Sequence, residues 1–279
     1  MASMRRSLGY HLYACGRAGM PRQLQINGTT YYRKRVFKHD FFAATGMYEC
    51  NGSPASEGFP YRIVLKLGRQ QNIFGLPMRW LGRATTEREL ANLRRVSGIA
   101  GVPKLIARCG NAGFAYEYIE GRSLDDCSDI PEGFFDRLRE LLDQVHRRNV
   151  VYLDLNKRGN ILVGDDGRPY LIDFQISMHI SDDAVAALKL MGRVLKALQN
   201  CDIYHLFKHK RKLRPEELTP EEKELSYCVS RHIRLHRKLT RPLTNLRRGF
   251  LKMLVANKFL MRDTDIDYSP ENDPARFLK

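Results

Sequence analysis

Residues 150–177 read "VVYLDLNKRGNILVGDDGRPYLIDFQIS". Three short apolar runs, Val150-Val151, Ile161-Leu162-Val163 and Tyr170-Leu171-Ile172, have the length and composition of buried strands. Beside them stand three polar residues that apolar patterning does not call for: Asp154, Asn160 and Asp173. Strand-end caps and turn formers are the bland explanation of such residues. The sharper one is a site: apolar neighbours anchored in a core hold two carboxylates and an amide rigidly.

Upstream of this segment the chain alternates strand-like pieces with one helix. "TTYYRKRVF" and "FFAATGMYEC" are rich in β-branched and aromatic residues, and "YRIVLKLG" (61–68) predicts a third strand with Lys66 near its end. "NGSPASEG" (51–58) is a loop by its Gly, Ser and Pro content. Leu90, Leu93 and Val96 predict a helix over 85–97, capped by Thr85 or Thr86 and ended by Gly98, Gly101 and Pro103. "KLIARCG" and "GFAYEYIEG" predict two more strands, and Pro131 opens an amphipathic helix with Phe134, Phe135, Leu138, Leu141, Leu142 and Val145 on one side. Downstream, Asp182-Asp183 begin a helix to about Gln199, and from 205 the chain reads as helical and basic. The order predicts an α+β protein. A basic, loosely held N-terminal extension covers 1–24, a small sheet-rich lobe 25–118, and a mainly helical lobe 119–279.

With 279 residues and 43% apolar content, the chain is long enough for two lobes with real cores. Its 47 Lys and Arg against 31 Asp and Glu give a net charge of +16, which points to anionic partners. The run 228–258 contains nine Lys or Arg and no Asp or Glu, and suits an anionic lipid or glycolipid surface. Nucleic acid is the weaker candidate, since base-stacking aromatics are sparse among these charges. The six cysteines are far apart with no C-x-x-C pair, and read as reduced thiols. His205/His209 and His232/His236 have an i, i+4 spacing that suits zinc, but neither pair has an acid or Cys clearly placed to complete a set. No run approaches the roughly 20 apolar residues of a membrane span. These features predict a cytoplasmic protein, peripheral at most at the inner membrane face.

"VLK" on the third strand, Glu89 in the following helix, "AYEYIEG", "YLDLNKRGNILV" and "LIDFQ" occur in an order that resembles the protein-kinase-like superfamily. The likeness runs from about residue 29 to about 200. It implies a two-lobed fold with a small antiparallel-sheet N-lobe, one key helix and a helical C-lobe. It also implies an ATP- and Mg²⁺-dependent phosphotransferase. By that resemblance Asp154, with Lys157 in the same loop, is catalytic. Asn160 and Asp173 hold Mg²⁺, Lys66 positioned by Glu89 holds the α- and β-phosphates, and backbone groups of Glu117 and Ile119 meet the adenine. Glu87 is the competing candidate for the role of Glu89.

The departures narrow the class. Tyr152 stands where the family has His, and Gln175 replaces the Gly of D-F-G. Asp154 and Asn160 are six residues apart rather than five, so one extra residue must bulge out. The turn in "FKHDFFAATGMYE" has no G-x-G-x-x-G. Asp173 and the helix start at Asp182 are only nine positions apart, too few for a peptide-docking activation segment. Among family branches the chain is most similar to bacterial lipopolysaccharide core kinases, which phosphorylate Kdo or heptose hydroxyls. The alternatives are a RIO-type protein Ser/Thr kinase and a nucleotide-binding pseudokinase scaffold.

Overall fold

The structure, a computed structural model, describes residues 13–52, 59–72 and 76–227. The basic run 228–258, its histidine pair and the acidic tail lie outside the described residues. The fold is mixed α+β, with an antiparallel sheet in the N-terminal part and helices in the C-terminal part. The described chain divides into two compact units. Residues up to Arg88 and Leu105–Tyr118 belong to the first, and Glu89–Lys104 and the residues from Ile119 onward to the second.

The first unit is a six-stranded antiparallel sheet. Its strands are β1 (Gln23–Ile26), β2 (Thr29–His39), β3 (Ala43–Cys50), β4 (Arg62–Gly68), β5 (Leu105–Arg108) and β6 (Gly113–Glu117), in the order β1-β2-β3-β4-β6-β5. Alternating side chains put Tyr31, Val36, Tyr48, Ile63, Leu65 and Leu67 into one core. Two of these tyrosines satisfy their hydroxyls locally: Tyr31 donates to the Pro60 carbonyl at 2.8 Å and Tyr48 to that of Pro21 at 2.7 Å.

Two expectations are corrected here. The segment up to residue 24 is not loosely held from Tyr13 onward. Ala14, Cys15 and Met20 are core residues, and β1 pairs with β2. A basic composition hid the few apolar residues that do the anchoring. The helix expected at 85–97 instead begins at Arg79, so α1 spans Arg79–Arg95. Thr85 therefore does not cap it: its hydroxyl donates back to the Leu81 and Gly82 carbonyls. The early turns carry Gly82 because they lie against the end of β4. A Cβ on Gly82 would sit 2.0 Å from the Arg69 carbonyl oxygen.

The β2–β3 turn has spent its own amides. Asp40 Oδ1 accepts from Phe42 N at 2.8 Å and Ala43 N at 2.9 Å, and Arg69 donates to the Phe41 carbonyl at 2.7 Å. This Asx-type turn is fixed from inside, not by glycine.

The second unit contains β7 (Gly121–Ser123), α2 (Phe134–Arg147), β8 (Val150–Val151), β9 (Ile161–Gly164), β10 (Pro169–Leu171), β11 (Met178–His179), α3 (Asp182–Ala187), α4 (Lys189–Leu213) and α5 (Pro220–Tyr227). Helix α2 buries the predicted apolar face, Phe134, Phe135, Leu138, Leu141, Leu142 and Val145. It starts three residues after Pro131, which instead accepts from Phe134 N in a preceding turn. The helix predicted over 182–199 is two: Ser181 caps α3, Leu188 is extended, and α4 then runs 25 residues. Lys210 on α4 is 2% exposed and binds Asp136 of α2 at 2.7 Å and Glu222 of α5 at 2.9 Å, tying three helices.

Two buried histidines, His39 in the first unit and His209 in the second, predict a pH response. His39 accepts the Cys15 N–H at Nε2, and His209 Nε2 meets the Leu155 carbonyl at 2.8 Å. Burial pushes both down from 6.5 to about 4. Both folded pKa values lie below the unfolded one, so the unfolded chain binds more protons between them. Stability is complete above about 6.5 and declines as the pH falls toward 4, by on the order of 1–2 kcal/mol per histidine near pH 5. Denaturant unfolding at several pH values measures this. A flat profile down to about pH 5 would mean that neither imidazole is held neutral.

Candidate active site

The loop after β8 owes its shape to a buried acid on another element. Asp202, fully buried on α4, accepts from Tyr152 N at Oδ2 and Leu153 N at Oδ1, both at 2.9 Å. His146 Nε2 lies 3.0 Å from the same Oδ2. Leu153 has φ +65, a left-handed conformation that costs a branched residue about 1–2 kcal/mol. The bond to Asp202 holds it there. The turn this forces delivers Asp154. Ser177 Oγ adds a donor to the Tyr152 carbonyl at 3.0 Å, and Asn92 donates to the Ser177 carbonyl at 2.8 Å.

Asp154 is 6% exposed. Its Oδ2 accepts from Lys157 Nζ at 2.6 Å and from Asn160 Nδ2 at 2.7 Å. The extra residue between Asp154 and Asn160 is absorbed in a 3₁₀ turn, Arg158–Asn160, with Lys157 N donating to the Asp154 carbonyl and Asn160 N to that of Lys157. The bulge therefore does not separate the carboxylate from the amide. Arg158 is turned away to Asp125, at 2.8 Å.

Asn160 and Asp173 meet at the open end of one hairpin. β9 and β10 are antiparallel with Ile161 opposite Leu171, and Ile172 N donates to the Asn160 carbonyl at 3.1 Å. Asp173 is the next residue, at φ +62. Tyr152 closes this end from beneath. Its hydroxyl donates to the Ile172 carbonyl and lies 3.4 Å from that of Asn160, and its ring meets Phe174 edge-on at 5.1 Å. Burial and then the charges of Asp173, Asp154, Asp202 and Glu89 raise the Tyr152 phenol well above its ordinary value, so it stays a donor. Removing that donor takes a hydrogen bond from the part-buried Ile172 carbonyl. Tyr152→Phe should cost about 1–3 kcal/mol in denaturant unfolding. Unchanged stability would mean that the hydroxyl does not hold the hairpin end.

Glu89 is 3% exposed, and the Tyr152 phenol feels its charge. Glu87, the competing candidate, is half-exposed and paired with Arg108. Lys66 lies in the first unit, mid-β4 between Thr45 and Phe114, and is 7% exposed. Because Leu65 and Leu67 face the core, Lys66 shares the opposite face with Gly68. Helix α1 covers that face near Gly68: a Cβ there would come 2.5 Å from the Gly82 carbonyl oxygen and 2.7 Å from Thr86 Oγ1. Glu117 ends β6 opposite Ile63, and Ile119 begins the longer segment of the second unit.

Among the described residues no three His, Cys, Asp or Glu side chains converge as a metal cage. Mg²⁺ does not require one, since it is commonly held by one or two protein oxygens plus phosphates and water. Asn160 gives its nitrogen to Asp154, which leaves its amide oxygen as an acceptor, and Asp173 supplies a carboxylate at the same hairpin end. The pair fits such an ion. His209, by contrast, gives Nε2 to a backbone carbonyl, and His232/His236 lie outside the described residues.

Sequence reasoning missed Asp202 and His146. The available signal was positional: from Ala184 to Pro215 the chain carries a single acid, Asp202. A lone carboxylate in a basic helix needs a reason, and here the reason is two backbone amides. The five described cysteines, Cys15, Cys50, Cys109, Cys127 and Cys201, are free thiols. No protein-family model matches the chain, and no curated protein matches it.

Proposed function

We propose that the chain is an atypical kinase with the two-lobed protein-kinase-like fold, similar to lipopolysaccharide core kinases. It would move the γ-phosphate of ATP to a sugar hydroxyl of an anionic glycolipid at the cytoplasmic membrane face. The observation that carries this reading is the buried Asp154 carboxylate, bonded to Lys157 and Asn160 and next to the hairpin end that bears Asp173.

In this reading Asp154 orients the acceptor hydroxyl and takes its proton as the new O–P bond forms and the bond to the β-phosphate oxygen breaks, releasing ADP. Lys157, whose side chain is 62% exposed, meets the phosphoryl oxygens in flight. Asn160 and Asp173 hold Mg²⁺, which neutralises phosphate charge. Lys66 holds the α- and β-phosphates, Glu89 positions Lys66, and the backbone at Glu117 and Ile119 meets the base. The β2–β3 turn cannot cradle phosphate with the amides of Phe42 and Ala43, because Asp40 already occupies them. A non-peptide acceptor suits the segment after Asp173. Its Met178–His179 strand pairs with Val150–Val151, which leaves no long docking loop.

The test is transfer of labelled γ-phosphate from Mg·ATP to a glycolipid extract, a ribosomal fraction or no acceptor. Label should enter the glycolipid and vanish in Asp173→Ala, a variant expected to stay folded. Label in ribosomal protein would put the RIO-type kinase first. No label in any arm would leave a nucleotide-binding scaffold.

A further inference from the structure

Helix α4 turns two different faces to its surroundings over its first three turns. Inward, Met191, Leu195 and Leu198 pack with Val151, Leu153, Met178 and Ile180. Outward, Leu190 is 64% and Val194 37% exposed, and Leu188, just before the helix, is 56% exposed. Leu190 and Val194 are one turn apart on the same stripe. Beside that stripe stand the exposed cations Lys189, Arg193 and Lys196. No acid opposes them along the helix, since Asp202 is buried and bonded inward. The only acids close in sequence, Asp182 and Asp183, open α3, and Asp182 accepts from Asn149 at 2.6 Å.

An apolar stripe beside exposed cations that no described acid of the helix offsets suits one kind of surface, a bilayer with anionic headgroups. A protein partner would need its own acidic rim matched to this spacing, whereas a bilayer offers acyl chains and negative charge without register. We propose that the outer face of α4, with Leu188, Leu190 and Val194 inserted and Lys189, Arg193 and Lys196 at headgroup level, docks the protein on an anionic membrane. This deepens the glycolipid reading and rests on it for its purpose. The inner side of the same helix packs with Leu153, the residue before Asp154, so docking here holds the helix that also supports the loop of the candidate base.

The test uses the full chain and vesicles of phosphatidylcholine alone or mixed with phosphatidylglycerol, free of glycolipid. Sedimentation should show binding only to the mixed vesicles, weakened by salt. Leu190→Asp/Val194→Asp should reduce that binding by about tenfold or more. Its circular dichroism and melting should match the parent, because neither side chain belongs to the buried core cluster. Lys189→Ala/Arg193→Ala/Lys196→Ala, which leaves the apolar stripe intact, should also weaken binding and remove most of its salt dependence. Undiminished binding by both variants would overturn the assignment and move docking elsewhere on the chain. Loss of self-association in the aspartate variant, seen by light scattering without any change in vesicle binding, would identify the face as a contact between copies and equally overturn it. Phosphoryl transfer to a deacylated, water-soluble acceptor should be the same in parent and variant. That arm tests the kinase reading separately, because it can fail while vesicle binding succeeds, and the reverse.

Discussion

Asp154→Asn should lower phosphoryl transfer by on the order of 10²–10⁴-fold while Mg·ATP still binds. The substitution keeps the shape and removes the charge and the proton acceptor. Lys157 and Asn160 both donate to the single atom Oδ2. An asparagine oxygen set at that position can accept from both with its two lone pairs, so the loop geometry is kept while the charge is lost. The sites assigned to Mg²⁺ and nucleotide, Asn160, Asp173 and Lys66, keep their own atoms. Single-turnover transfer beside a nucleotide titration separates the two effects. A fully active variant would show that the inserted residue has moved the base elsewhere in the loop. Loss of nucleotide binding together with rate would mean that Asp154 has a structural role instead.

Asp202→Ala should be the most damaging single change to stability in the second unit, costing about 3–5 kcal/mol. It strips the acceptor from the buried Tyr152 amide, from the part-buried Leu153 amide and from buried His146. It also releases the left-handed Leu153, so the strain held there would relax by moving Asp154. Since the alanine variant is the one most exposed to misfolding, Asp202→Asn is the informative companion. It keeps one oxygen and should lose less stability, yet still lower transfer, because only one of the two loop amides can be satisfied. Denaturant unfolding and transfer rate together check this. Parent-like values of both in Asp202→Asn would show that the loop does not depend on the carboxylate.

The three polar residues of 150–177 were legible because strand-like runs bracket them and little else explains them. The hairpin register then follows from the pattern, and it places Asn160 and Asp173 at one end. Helix α2 was legible because its apolar face is continuous. What failed were boundaries and supports. The start of α1 was hidden because "MRWLGRA" has no acid or cap and a glycine that serves packing. The anchored part of the N-terminal segment was hidden by its cations. Asp202 was unreadable as a support because its partners are backbone amides some fifty residues away, which carry no sequence signature. Tyr152 was legible as a departure, but not as the donor that closes the hairpin end.

Helix α4 is a single 25-residue rod with work at two rotational phases. Leu190 and Asp202 are twelve residues apart, which sets them about 120° apart around the axis. A one-residue insertion or deletion between them would turn one against the other by about 100°. Either the carboxylate would leave the Tyr152 and Leu153 amides, or the outer stripe would roll toward the core. Relatives of this chain should therefore vary along Leu190–Asp202 by substitution, and length changes there should come as near-whole turns of about three or four residues.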